Sequence, residues 1–475
     1  MKAKSIDSFL KFGAFGGKTP VMDFCYLKVL CKVLRGGLPL QVVLKTFFTR
    51  AYCPLILKGY TSLTKDLFLR IQRLFMLSSF LPYSTQNITN EDKDSILEAL
   101  FSTHLTQGAK TQEFQNALAS YLGAKEVFVH NAATSALYVA FSALKSYIEE
   151  GLFRGARANA ERLEKARVAR RYSVLTTPLS FVATSNMMLA NGLRPIFSDI
   201  QEDGNLNPDL IEESLEEDTV AICSIDYAGK SVDRDAIGAI ARKHGLLWIS
   251  DSSHAFGASF RGAKVGGNAG SQADMTIFSF HAVKPLTTAE GGALATNDKD
   301  LARLASNLGT HGIEKKSYHD YDCLRLGFNF RLSELGAALG LSQLKRLESF
   351  IQKREVIANF YNDYFKDQPY FHTPRLEPHL QSTHHLYPIK LKAPFSQNRT
   401  KLLESLLAKN IGAQIHYKPI YHFSLYKQPP LSYKPLAATE AFYEAQLSIP
   451  CHQNMDLDLD SEVAKSLLDE LDKLR

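Results

Sequence analysis

The chain has 475 residues, of which 45% are hydrophobic and 22% charged, with a net charge of +6. This is a soluble globular balance with material for a large core, and the length allows roughly three domains. No apolar run approaches the ~20 residues of a membrane span. The six cysteines are scattered and form no Cys-x-x-Cys pair, so neither a zinc site nor a dense disulfide framework is indicated, and a reducing cytoplasmic location is expected.

Residues 1–82 differ from the rest. They hold 13 Lys and Arg against Asp7, Asp23 and Asp66, and stand at +10 while the remainder stands at −4. Apolar runs (FCYLKVLCKVL, PLQVVLKTFF, LFLRIQRLFMLSSFL) alternate with basic residues, and no signal-like cleavage pattern follows. The segment is read as a basic N-terminal extension of unknown role. Leu67–Leu81 has the pattern of a basic amphipathic helix, which leaves membrane contact open though not favoured. A second helical domain, or an appendage with no part in the chemistry, stands beside it.

From residue 83 the pattern becomes regular. NEDKDSILEALFS reads as a helix capped by Asn90, and TQEFQNALASYLG as a second one stopped by Gly123. Short apolar runs follow: VFVHN, SVLTTP, PIFSDI, VAICSIDY, LLWISDSS, MTIFSF and GALATND. Most are separated by lengths that hold a helix, so the expected class is α/β with a mixed or largely parallel sheet. Residues 151–171 (GLFRGARANAERLEKARVARR) read as an exposed helix with Glu161 and Lys165 paired at i,i+4. Their one aromatic, Phe153, sits at an end, so they make no platform for nucleic-acid bases. After about residue 345 the alternation stops. YPIKLK, AQIHYKPIY and two helices (TKLLESLLAKN, SEVAKSLLDELDKL) describe a smaller α+β domain. The predicted domains are therefore 83–345 and 346–475.

Four stretches carry the chemistry. In HNAATSA a strand gives way to a helix whose first amides, near Ala133 and Thr134, suit a phosphate; an ordinary Ser/Thr cap gives the same pattern. In ISDSSH, Asp251 ends a strand and His254 follows by three; the aspartate also fits a turn cap. In SFHAVKPLTTAEGG, Lys284 follows an apolar strand that contains Ser279. A lysine that loses hydration there becomes a nucleophile toward carbonyls, the alternative being a snorkelling surface lysine. In LGFNFRLSE, Asn329 and Arg331 alternate with aromatics, as in a strand edge. Taken together they make a site for pyridoxal phosphate. That cofactor needs a lysine, an acid for its ring nitrogen and a phosphate cradle, and Phe181 in TTPLSFVATSN is a candidate for the flat group against the ring. No cluster of metal ligands is seen.

The stretches NAATSAL, TTPLSFVATSNM, SDSSHAFG, FSFHAVKPLTTAEGG and GFNFRLSE, in that order, resemble the DegT/DnrJ/EryC1/StrS sugar aminotransferases. The likeness runs from about Tyr83 to the C-terminus, and Asp251 precedes Lys284 by 33 residues, as the family leads one to expect. The resemblance implies the fold of fold-type-I pyridoxal-phosphate transferases. It implies amino transfer from L-glutamate, which leaves as 2-oxoglutarate, to C4 of a UDP-linked 4-keto-6-deoxy-N-acetyl sugar. The nearest likeness is to members that make pseudaminic acid precursors for surface structures such as flagellin. A different 4-keto sugar nucleotide, of the perosamine or aminoarabinose type, is the alternative. Family dehydratases place histidine where Lys284 stands, which argues against them, and a non-catalytic binding protein would not need the whole constellation.

The resemblance implies a role for each of these residues. Lys284 carries the cofactor and moves the proton. Asp251 faces the ring nitrogen, His254 the phenolic oxygen and Phe181 the ring face. Ala133, Thr134 and Ser279 hold the phosphate. Asn329 reaches it from a second subunit, so a homodimer is implied, and Arg331 faces the donor carboxylate. Tyr83, His104, Leu105, Thr106, Ala133, Asn329, Arg331, His416 and Tyr417 are assigned to the nucleotide sugar. Residues 1–82 and the long 151–171 stretch depart from the family pattern without touching these motifs.

Overall fold

The computed structural model describes residues 80–154, 159–315, 317, 319–431 and 433–474; the readings made for residues 1–79 lie outside it. Leu77–Arg475 form one compact unit. Its first helix, α1 (Asn90–Leu100), is capped one residue earlier than expected. Thr89 is extended, and the Asp92 carboxylate takes its N–H at 2.8 Å, a capping box with aspartate in the acidic position. α2 (Ala109–Leu122) ends at Gly123, whose φ of 69° suits glycine. The opening amides of α2 are taken by a distant group. The buried Glu334 carboxylate accepts from the N–H of Gly108 at 3.0 Å and of Lys110 at 2.8 Å.

There follow β1 (Glu126–His130), α3 (Ala133–Glu149), α4 (Glu161–Ala169), β2 (Ser173–Thr176), α5 (Ala183–Ala190), β3 (Arg194–Phe197) and β4 (Thr219–Ile225). The body continues with α6 (Arg234–His244), β5 (Leu247–Asp251), β6 (Met275–Ser279), β7 (Gly292–Thr296) and α7 (Lys299–Leu308). Each of the seven apolar runs predicted as strands enters one sheet, in the order β1-β7-β6-β5-β4-β2-β3. β7 is antiparallel to both its neighbours, and the pairs from β6 to β3 are parallel. Every residue of β2, β4, β5, β6 and β7 is buried, which explains why they read as unbroken apolar runs: a parallel sheet is covered on both faces. α4 carries the predicted Glu161–Lys165 pair at 2.8 Å and buries only Leu163 and Ala166.

The C-terminal part begins after α8 (Glu334–Leu344). It comprises α9 (Leu347–Tyr364), β8 (Phe371–His372), β9 (Tyr387–Leu391), α10 (Arg399–Ala408), α11 (Ala437–Ala445), β10 (Gln446–Ile449) and α12 (Leu457–Asp472). Strands β8, β9 and β10 form an antiparallel sheet over its own core, which includes Tyr387, Leu402, Leu447 and Leu467. α9 spans two cores: Leu347 and Ile351 pack into the main body, Ile357 and Tyr361 into the smaller one. AQIHYKPIY meets the sheet by the bridge Gln414–Ser448 and ends in the short 3-10 turn Ile420–His422, while β10 supplies the third strand.

The register of β7 brings three strand ends together. Gly292 pairs with His130 on one side and Ser279 on the other, so the end of β1, the start of β7 and the end of β6 lie in one row. The start of α3 packs directly against that row. A Cβ at Gly292 would stand 2.5 Å from the Ala133 nitrogen, closer than any side chain tolerates. Gly292→Ala is therefore expected to lower stability by about 1–3 kcal/mol, read as a shifted urea midpoint; a midpoint equal to that of the parent would contradict this close approach.

Candidate active site

The carboxyl ends of β5 and β6, the start of β7 and the N-terminus of α3 share one edge of the sheet. That is the edge at which open α/β sheets collect ligands. A cleft of about 550 Å³ opens there, closed on the far side by the chain around His416 and Tyr417. Of the residues singled out in the sequence, it brings together Tyr83, Ala133, Thr134, Phe181, Asp251, His254, Ser279, Lys284, His416 and Tyr417.

The floor is polar and held in place. No side chain caps α3, whose first residues Ala133 and Thr134 line the cleft, so this end of the cleft has the positive character that suits an anion. Ser279, at the end of β6, lies beside them. Asp251, buried at the end of β5, accepts from the Thr184 hydroxyl at 2.6 Å through one oxygen and from the Ser253 hydroxyl at 2.6 Å through the other. Its carboxylate is therefore aimed rather than free to turn.

Lys284 sits in the turn after β6, with its amine 3.4 Å from His385 Nε2. Loss of hydration, opposed by Asp251 and reinforced by the charge of Arg354, pushes the amine down to about 7. His254 is held well below the usual histidine range by burial and by nearby Lys284 and His416. Its Nδ1 accepts from the Ala228 N–H at 3.2 Å, and its Nε2 lies 3.0 Å from the Tyr417 hydroxyl, so both nitrogens have partners within the chain. His416, pushed down to about 3 by burial, bonds Ser448 at 3.0 Å and packs its ring 5.0 Å from that of Tyr83. Phe181 is 61% exposed and lines the cleft, a flat apolar group whose ring is tilted 59° against that of Tyr417 at 6.2 Å.

Five singled-out residues lie elsewhere. Thr106 bridges to Ser333, Leu105 accepts from the Glu334 N–H, Asn329 bridges to Thr310, and Arg331 bonds Gln107 at 3.2 Å. None of these, nor His104, lines this cleft. Other residues were missed. Thr184 and Ser253 lie inside the quoted motifs, where their hydroxyls were the available signal. His385 and Arg354 sit in the C-terminal part with nothing local to mark them.

These parts suit pyridoxal phosphate: a poorly protonated amine, an aimed carboxylate for the ring nitrogen, an uncapped helix end for the phosphate and an exposed aromatic face. Among the described residues no group of three or more His, Cys, Asp or Glu is placed to hold a metal, and no helix is long and apolar enough to cross a membrane.

The architecture, a mixed seven-stranded sheet with a smaller α+β part, is that of the fold-type-I pyridoxal-phosphate transferases. The chain belongs to the DegT/DnrJ/EryC1/StrS aminotransferase family, whose model matches residues 86–468. It is 43% identical over 388 residues to the UDP-4-amino-4,6-dideoxy-N-acetyl-beta-L-altrosamine transaminase of Helicobacter pylori, covering 81% of this chain and 96% of that protein. It is 42% identical to the protein of the same name from Campylobacter jejuni, covering 83% and 98%. The solved structure of Helicobacter pylori PseC, described as an aminotransferase involved in the biosynthesis of pseudoaminic acid, matches with a TM-score of 0.75 at 41% identity, covering 82% of this chain and 99% of that one.

The lysine makes stability depend on pH. Unfolded, Lys284 keeps its proton to about pH 10.4; folded, it releases it near pH 7. Between those values the unfolded chain binds more protons, so stability rises with pH across the window. In cofactor-free protein, Lys284→Met should remove that rise. Urea midpoints of parent and variant would then separate progressively in the parent's favour above pH 7, and parallel curves would contradict the assignment.

Proposed function

We propose that the chain moves the amino group of L-glutamate to C4 of UDP-2-acetamido-2,6-dideoxy-β-L-arabino-hex-4-ulose, a step of pseudaminic acid biosynthesis, with pyridoxal phosphate as cofactor. The observation that carries this reading is the amine of Lys284 standing in one cleft with the aimed Asp251 carboxylate and the uncapped start of α3. Identity above 40% to two transaminases of that name, across nearly their whole length, supports the choice of sugar.

Pyridoxal phosphate, when bound, supplies an electron sink for the charge left on carbon when a proton is removed. The chain's own residues do the rest. Asp251 holds the proton on the ring nitrogen, with Thr184 and Ser253 fixing its two oxygens. The α3 amides, Thr134 and Ser279 hold the phosphate, and Phe181 covers the ring. The Lys284 amine, about half of it unprotonated at neutral pH, would move a proton between the substrate carbon and the cofactor's C4′ in each half-reaction, so that one group serves as base and then acid. Glutamate leaves as 2-oxoglutarate in the first half-reaction. The sugar's C4 carbonyl takes the amine and loses its oxygen as water in the second.

The group around Asn329 and Arg331 completes the site of a second copy in a homodimer. Two observations support this: these residues do not line their own cleft, and the adjoining segment leaves large apolar side chains in the open, Leu326 at 75% and Tyr321 at 63% exposed.

Two experiments test the reading. L-Glutamate added without sugar to the cofactor-loaded protein should bleach the visible absorbance and release one equivalent of 2-oxoglutarate. Lys284→Ala should lose at least ~10³-fold of this turnover; bleaching unaffected by the substitution would sink the assignment. For the shared site, Lys284→Ala and Asn329→Ala chains are inactivated separately and then mixed. Hybrid dimers hold one intact site, so activity should reappear, and its failure to do so in confirmed hybrids would argue for self-contained subunits.

A further inference from the structure

Behind Lys284 lies a buried cation that the proposed chemistry does not use. Arg354, on α9, has no exposed surface, and its partners among the described residues are all neutral. Nε donates to the Gln453 side chain at 3.0 Å. Nη1 reaches the carbonyls of Cys451, His384 and His385 at 2.6, 3.3 and 3.5 Å, and Nη2 the Ser84 hydroxyl at 3.1 Å. A buried ion without a counter-charge is costly even after relaxation. Satisfying its donors lowers that cost without removing the charge. Burial pushes the guanidinium itself down to about 10.

Both arms of this guanidinium end at the reactive lysine. Ser84, having accepted from Nη2, donates its own proton to the Val283 carbonyl at 2.7 Å, the peptide group that joins directly to Lys284. On the other arm, the carbonyls of His384 and His385 are gripped, and the His385 ring faces the lysine amine at 3.4 Å. The same cation thus touches the backbone before Lys284 and the side chain beyond it, from positions distant in sequence. The titratable groups around the amine are Asp251, His254, His385, His416 and Arg354. The imidazoles are all held below their ordinary range by burial. That leaves Asp251 and Arg354 as the fixed charges, one favouring and one opposing a proton on Lys284.

We infer that Arg354 is a positioning residue for Lys284: through Ser84 and His385 it fixes where the amine stands, and it keeps a buried charge without a counter-ion at the same site. The inference rests on the proposed reading of Lys284 as the cofactor lysine. Removing the charge should restore the proton, and loosening the grip should slow turnover without weakening the binding of glutamate.

The test reads the amine directly. Cofactor-free protein is acetylated with acetic anhydride over a series of pH values, and modification of the Lys284 peptide is followed by mass spectrometry. The parent midpoint is expected near 7, and that of Arg354→Met higher by roughly one pH unit, whereas Arg354→Lys, which keeps the charge, should stay near the parent. A folded Arg354→Met protein with the parent midpoint would overturn the inference, since a merely structural arginine leaves this titration alone. Should Arg354→Met not fold, Ser84→Ala decides: kcat is expected to fall by about 3–10-fold with KM for glutamate unchanged, and an unaltered kcat overturns the positioning role. Borohydride reduction of the loaded parent separates the two levels. Cofactor fixed on another residue removes the underlying reading; cofactor fixed on Lys284 beside an unmoved Arg354→Met midpoint removes only this inference.

Discussion

The contact on which the site depends is made by backbone alone. Gly292 opens β7 between His130 and Ser279, and α3 rests its first residue on the space where a side chain would be. Because β7 runs against its neighbours, its first residue meets the last residues of β1 and β6. The antiparallel strand therefore brings a helix start, a strand end and the lysine turn to one place. With a Cβ there, the amides of α3 would stand away from Ser279 and the two would no longer face a common anion. Shape comes first here, and the charges are arranged on it.

Those charges are few and mutually opposed. Asp251 and Arg354 are both buried and both act on the Lys284 amine, and three imidazoles near it are kept below their ordinary range chiefly by the same loss of hydration. In water the lysine would be protonated and idle at neutral pH. Inside, loss of hydration weakens its hold on the proton, opposed by one carboxylate and reinforced by one guanidinium, each anchored by several hydrogen bonds. An amine that must both attack and carry a proton needs that near-balance.

Much of this was legible in the sequence, and the reasons differ by element. The seven strands of the main sheet were readable because burial on both faces makes each a short unbroken apolar run. Asp251, Lys284 and Ser279 were readable because they stand where such runs end. The cap of α1 was misplaced by one residue because Thr89 and Asn90 are both good caps, and the choice is made by the reach of Asp92. β10 was missed because it follows α11 without a turn residue to announce it. Arg354, His385 and Ser84 carried no signal. Each is an ordinary residue locally, and they meet across sequence separations of 31 to 270 residues. The split of the singled-out site residues into two spatial groups could not be read from the residues themselves, since Asn329 and Arg331 look alike in sequence whether they serve their own cleft or another; only the family resemblance pointed Asn329 to a second subunit.

The long stretch at 151–171 shows why a departure from family pattern leaves the chemistry alone. Its helix α4 buries Leu163 and Ala166 in the main core. Two of its arginines reach the segment just before β4: Arg162 donates to the Glu216 carbonyl and Arg171 pairs with Asp218 at 3.7 Å. Arg194, which opens β3, pairs with the same two acids. All of these contacts lie where the parallel strands begin. The cleft lies where they end. A sheet of buried parallel strands has two chemically independent edges, and an insertion that satisfies its charges at the amino edge has no path to the lysine at the other except through the rigid strands between them.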